Sequence, residues 1–121
     1  MKESGEMYLE TILILGQENN LVRATDIATR MGYSKASVSR AVGKLSSGGY
    51  IVVGANGYIA LTEKGREVAE KIYERHRLLA EVLMQLGVSA ECAVDDACRI
   101  EHVISDEAFA AIKEHMVNFS Q

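Results

Sequence analysis

The 121-residue sequence predicts a mostly α-helical fold with one small β-hairpin, and three observations carry that expectation. Apolar residues recur at helical spacing in six separate stretches. An Asn56-Gly57 pair sits between two runs rich in β-branched and aromatic residues, a strong hairpin signal. Proline is absent, so breaks must fall at glycines and at hydroxyl-bearing residues placed as helix caps.

Residues 5–18 place Met7, Leu9, Ile12, Leu13 and Ile14 at mixed i, i+3 and i+4 spacings, predicting a largely buried helix ended by Asn19 and Asn20. Thr25 is positioned to cap a short second helix through Asp26, Ile27, Ala28 and Met31, with Gly32 as the turn. Ser34 holds the N-cap position of a third helix. Its inward stripe is Val38, Ala41, Val42 and Leu45; Ser37, Arg40 and Lys44 face the other way, and Gly48-Gly49 stops it. Strands over 50–53 and 58–61 flank the turn Gly54-Ala55-Asn56-Gly57. Thr62 caps a long helix ending near Gly87, with Val68, Ile72, Leu79, Val82, Leu83 and Leu86 on its apolar face. Ser89 opens a fifth helix running to residue 104, and Ser105 opens the last.

The order helix, helix, turn, helix, hairpin, helix is that of a winged helix-turn-helix, expected over residues 1–70, with a second, helical unit over 71–121. In such a fold the second helix of the pair enters the DNA major groove and the hairpin touches the flanking backbone. The expected contacts are Ser34, Lys35, Ala36, Ser37, Ser39, Arg40 and Lys44. The net charge of −4 speaks against nucleic acid until it is mapped. Between residues 21 and 66, seven basic side chains meet two acidic ones, a net of +5, and the remainder carries −9. A local positive face is sufficient, because counterion release at contacted phosphates drives binding.

No apolar run approaches the ~18 residues of a membrane span. The first ten residues lack an apolar signal-peptide core, so export is not expected and the cytoplasm is. Cys92 and Cys98 are too few for a disulfide framework. No nucleophile–base pair or phosphate-binding glycine loop points to an enzyme.

Cys98, Glu101 and His102 stand at i, i+3 and i+4, so all three project from one face of the fifth helix. A thiolate, a carboxylate and an imidazole at that spacing make half of a metal site. Met7 and Glu10, sharing a face of the first helix, and His76 on the long helix are candidates to complete it. Taken alone, a buried cysteine beside two surface charges on an amphipathic helix is the more common explanation of that spacing. A different reading, a winged-helix repressor sensing oxidation through Cys92 and Cys98, meets a geometric objection: six residues apart on a helix is almost two turns.

The segments EMYLETI, TEKGREVAEKIYERHRLL and above all DACRIEHVISDEA, with the winged-helix arrangement between them, closely resemble the diphtheria-toxin-repressor family of iron- and manganese-dependent repressors. The resemblance covers nearly the whole chain. It implies a homodimer that binds double-stranded operator DNA when a divalent transition metal is bound, one or two per subunit, and that represses metal-uptake genes. The iron branch has methionine, cysteine, glutamate and histidine at positions matching Met7, Cys98, Glu101 and His102. Sulfur ligands disfavour Mn²⁺ relative to Fe²⁺, so Fe²⁺ is expected ahead of Mn²⁺. The iron branch's ancillary site is broken, because two of its ligand positions are Ala80 and Val94. Glu10 and His76 match manganese-branch ligands, leaving open a second metal bridged by Glu101. The SH3-like third domain common in the iron branch is not expected, and the resemblance is to a two-domain form. The dimer is expected to be held by apolar residues of the C-terminal half: Ile100, Val103, Ile104, Phe109 and Ile112.

Overall fold

Six helices and one antiparallel pair of strands follow the expected order: α1 (Glu3–Asn19), α2 (Ala24–Met31), α3 (Lys35–Ser47), β1 (Ile51–Val53), β2 (Ile59–Leu61), α4 (Glu63–Gln85), α5 (Ala90–Ile100) and α6 (Asp106–Phe119). The computed structural model describes the backbone of residues 3–19 and 21–119 and the side chains of 4–19 and 21–117. Asn20, expected to help end α1, lies outside them. The chain divides into two units, Met1–Lys71 and Ile72–Gln121; α4 begins in the first and continues in the second.

The first unit is built on α1, whose Leu9, Ile12, Leu13 and Leu15 are buried with Val22, Ile27, Val38, Leu45, Ile51 and Ile59. Ser34 caps α3 as expected, its Oγ accepting from the Ser37 N–H at 3.1 Å. The cap of α2 differs from expectation. Arg23, not Thr25, is the extended residue before the helix, and the Asp26 carboxylate accepts from its N–H at 2.9 Å. Thr25 lies within the first turn, where its carbonyl accepts from the Thr29 hydroxyl.

The hairpin pairs Ile51 with Leu61 and Val53 with Ile59. Its second strand is tied to the chain before α2, the Ile59 N–H donating to Val22 O at 2.7 Å. The start of α4 is knitted to the end of α3. Thr62 Oγ1 donates to Gly49 O at 2.7 Å while accepting from the Gly65 N–H at 3.1 Å, and the Thr62 N–H donates to Tyr50 O at 3.1 Å. The approach is so close that a Cβ on Gly65 would lie 2.9 Å from the Tyr50 carbonyl carbon, and nearer still to its oxygen. Only glycine fits there.

In the second unit Leu79, Ala80 and Ala97 form a buried cluster against which Ile100, Ile104 and Ile112 pack. Ser89 and Ser105 cap α5 and α6, accepting from the N–H groups of Cys92 and Ala108. Three expectations are corrected. Leu86, placed on the apolar face of the long helix, lies past its end and is exposed. Of the five residues assigned to the dimer face only Val103 is exposed; Phe109 is buried, and the three isoleucines are partly consumed by the unit's own core. Finally, α5 ends at Ile100 rather than running to 104.

Candidate metal centre and nucleic-acid interface

The early end of α5 matters because Glu101 and His102 follow it. Glu101 keeps helical angles (φ −58°, ψ −26°) and its N–H still donates to Ala97 O. The Val103 and Ile104 N–H groups then both turn back to Ile100 O, at 3.0 and 2.9 Å. One tight turn thus continues the helical screw, and the i, i+3, i+4 relation of Cys98, Glu101 and His102 is carried by helix and turn together.

The Glu101 side chain has no solvent exposure. His76 Nδ1, from α4, lies 3.0 Å from its Oε2, and His102 Nε2 lies 3.3 Å from its Oε1. The His102 imidazole is itself fully buried, and His76 is one-fifth exposed. A buried carboxylate is tolerated only with compensating charge. Two imidazole nitrogens facing its separate oxygens, with the partly buried Cys98 one turn earlier, are a donor set that fits a divalent first-row transition metal. Met7 and Glu10 stand one turn apart on α1 in the first unit, Met7 partly buried and Glu10 buried.

Arg75 was not among the residues singled out in the sequence. It is buried, its Nη1 donates to Ile104 O at 3.2 Å, its Nη2 pairs with Asp106, and its guanidinium lies 5.1 Å from the centre of the Phe109 ring. A signal existed: position 75 falls on the apolar stripe of Ile72 and Leu79, where a charge is out of place.

On α3, Ser34, Lys35, Ala36, Ser39, Arg40 and Lys44 are exposed and Ser37 is partly buried. The Ser34 hydroxyl donates to Ser37 Oγ at 3.0 Å, and Arg40 Nη2 approaches the same oxygen at 3.5 Å, so these side chains form one polar ridge. Beside it lies a depression of about 220 Å³ lined by Ser4, Gly5 and Tyr8 of α1 with Ser37, Arg40 and Lys44 of α3. Burial raises the Tyr8 phenol pKa, Tyr33 adds to the shift and Arg40 opposes it. Sequence reading missed this contribution of α1, since which faces of α1 and α3 meet is a tertiary fact. At the hairpin, Arg23 stacks 4.5 Å from the centre of the Tyr58 ring, and Lys64 lies 4.3 Å from that of Tyr50.

Both cysteines are free thiols. Cys92 is exposed with its Sγ 3.7 Å from Asp96 Oδ2, and the negative charge of Asp96 is the main cause raising the thiol's pKa. That disfavours the thiolate on which redox sensing depends. Among the described residues, no helix is long and apolar enough to cross a membrane.

Comparison with known proteins agrees with both units. Residues 1–58 match the iron-dependent repressor N-terminal DNA-binding domain, and residues 62–121 the iron-dependent repressor metal-binding and dimerisation domain. The chain is 35% identical over 118 residues to the HTH-type transcriptional regulator MntR of Geobacillus kaustophilus, covering 98% of this chain and 84% of that one. It is 35% identical over 106 residues to the diphtheria toxin repressor of Corynebacterium diphtheriae, covering 87% of this chain and 47% of that protein. A solved manganese-dependent transcriptional repressor complexed with manganese superposes with a TM-score of 0.82 at 32% identity, over 92% of this chain and 51% of that one. The chain thus spans about half the length of two of these relatives. It belongs to the iron-dependent repressor family, as a metal-dependent transcriptional repressor of the diphtheria-toxin-repressor and MntR type and not an enzyme.

Proposed function

We propose that this chain, as a homodimer in the cytoplasm, represses metal-uptake genes by binding operator DNA when a divalent transition metal is bound, Fe²⁺ in preference to Mn²⁺. The observation that carries the metal reading is the fully buried Glu101 with an imidazole nitrogen against each of its oxygens. His76, Cys98, Glu101 and His102 would hold the metal from the second unit, while Met7 and Glu10 join on the resemblance to the family alone. Glu101, with His76 and His102 beside it, would serve one or two metals per subunit. The sulfurs of Met7 and Cys98 favour Fe²⁺. Mn²⁺ is the second reading, supported by the all-nitrogen-and-oxygen grouping of His76, Glu101 and His102.

A bound cation acts by its differential affinity for the operator-fitting conformation, and operator DNA must tighten metal binding by the same factor. On the DNA side, Arg40 would read a base edge and Lys35 and Lys44 would meet phosphates, a reading supported by their exposure. The exposed Val103, with the partly exposed Ile100, Ile104 and Ile112, would supply the apolar part of the dimer contact.

The test is selection of duplexes from a random pool under anaerobic conditions with Fe²⁺, then titration of the selected duplex with and without chelator. Metal should raise affinity at least about tenfold, and Glu101→Gln should abolish that rise while leaving a folded dimer. Equal affinity with and without metal refutes the proposal.

A further inference from the structure

We propose that Arg75 is a positioning residue for the metal centre: by gripping the turn that carries Glu101 and His102, it sets how tightly the chain holds its metal. The inference rests on the metal reading above and goes beyond it, since Arg75 itself is no ligand.

Arg75 immediately precedes His76 on α4, and its three partners all lie just after His102: the Ile104 carbonyl, the Asp106 carboxylate and the Phe109 ring. The chain between Ile100 and Ile104 has no sheet partner. Its upstream end is held by the bonds to Ala97 O and Ile100 O, and its downstream end by the Arg75 fork. One helix therefore carries both the His76 imidazole and the clamp that holds the turn bearing the other two donors.

The choice of arginine points the same way. A buried guanidinium is costly unless paired and hydrogen-bonded, and an apolar side chain of similar volume would pack on Phe109 without that cost. What arginine supplies is direction, through a planar fork meeting one carbonyl and one carboxylate. The fold does not depend on it alone, since Lys113 pairs with Glu74 to join α6 to α4 independently. Groups that orient metal ligands characteristically change affinity by about 10–100-fold when lost.

The experiment compares the native chain with Arg75→Met, which keeps apolar bulk on Phe109, and Asp106→Asn, which weakens the clamp from its exposed end. Co²⁺ affinity is measured by chelator competition, the ligand field by the Co²⁺ visible absorption bands, and metal-free folding by circular dichroism. Arg75→Met is expected to lose about tenfold or more in Co²⁺ affinity, with altered visible bands and native metal-free helix content. Asp106→Asn should lose roughly two- to threefold, because solvent screens its exposed carboxylate. Native affinity and bands in both folded variants overturn the proposal. Should Arg75→Met fail to fold, Asp106→Asn decides: reduced affinity supports the clamp and native affinity overturns it. His102→Ala separates the two layers. If it loses Co²⁺ while both clamp variants keep it, only the clamp falls; if the native chain binds no Co²⁺, the metal reading falls and the clamp with it.

Discussion

Gly65→Ala should destabilise the first unit, although alanine is the better helix former. A Cβ there would sit 2.9 Å from the Tyr50 carbonyl carbon and 3.3 Å from its Cα, against the roughly 3.5–4.0 Å of an unstrained carbon contact. The obstacle is backbone, so no rotamer change relieves it. Overpacking of this kind costs about 1–3 kcal/mol. Pushing α4 away also weakens the Thr62 N–H to Tyr50 O bond, at about 1 kcal/mol. The helix-propensity gain of alanine is at most about 1 kcal/mol, and smaller in a first turn. The net is a loss of about 2 kcal/mol, or roughly 8–16 °C in the melting temperature of a unit of this size. Gly43→Ala is the control. It is the same substitution inside α3, where a Cβ meets nothing within 4 Å, and it should stabilise by about 0.5–1 kcal/mol. Thermal melts followed at 222 nm decide the matter. If both alanines stabilise, or Gly65→Ala melts within about 2 °C of native, the close approach of α4 to Tyr50 is wrong.

Replacing Met7 with Asp and Cys98 with Glu should move the metal preference toward Mn²⁺, read as the free concentration of each metal that half-activates operator binding; an unchanged preference would show that sulfur does not set it. Arg40→Ala should weaken operator binding by about 1–3 kcal/mol and relax sequence preference, whereas Lys44→Ala should weaken binding to all duplexes and flatten its salt dependence. Identical behaviour of the two variants would mean that Arg40 touches only phosphate. Cys92 should react with iodoacetamide at neutral pH more slowly than a small-molecule thiol of ordinary pKa, and Asp96→Asn should speed it, because the raised thiol pKa leaves less thiolate. Equal rates in native and Asp96→Asn protein would remove Asp96 as the cause.

The features legible in the sequence are those decided within a few residues of themselves. Ser34, Thr62, Ser89 and Ser105 each announce a helix because a hydroxyl and the N–H three residues on need nothing further. The hairpin is equally local. The spacing of Cys98, Glu101 and His102 survived the early end of α5 only because Glu101 keeps helical angles. What escaped depends on partners far along the chain. Arg75 meets residues about thirty positions away, Gly65 is dictated by Tyr50, and Tyr8 joins the α3 depression through the packing of two helices. Phe109 was assigned to the dimer face for the same reason: amphipathicity shows which side of α6 is apolar, but not whether its own unit covers it.

The unexpected cap of α2 constrains any attempt to improve the protein by rule. A helix-design scheme would mark Arg23 as a poor N-cap and install serine there, expecting up to about 1 kcal/mol. Here the Asp26 carboxylate accepts from the Arg23 N–H, the half of a capping box that makes no use of the side chain at 23, and that side chain reaches elsewhere. That reach ends over Tyr58, beside the turn of the hairpin, a stacking contact worth about 0.5–1 kcal/mol at an exposed site. The optimised serine would therefore be nearly neutral in a melting experiment while unfastening the wing from α2. Stability screening would pass a variant in which the hairpin had lost its contact with the chain before α2.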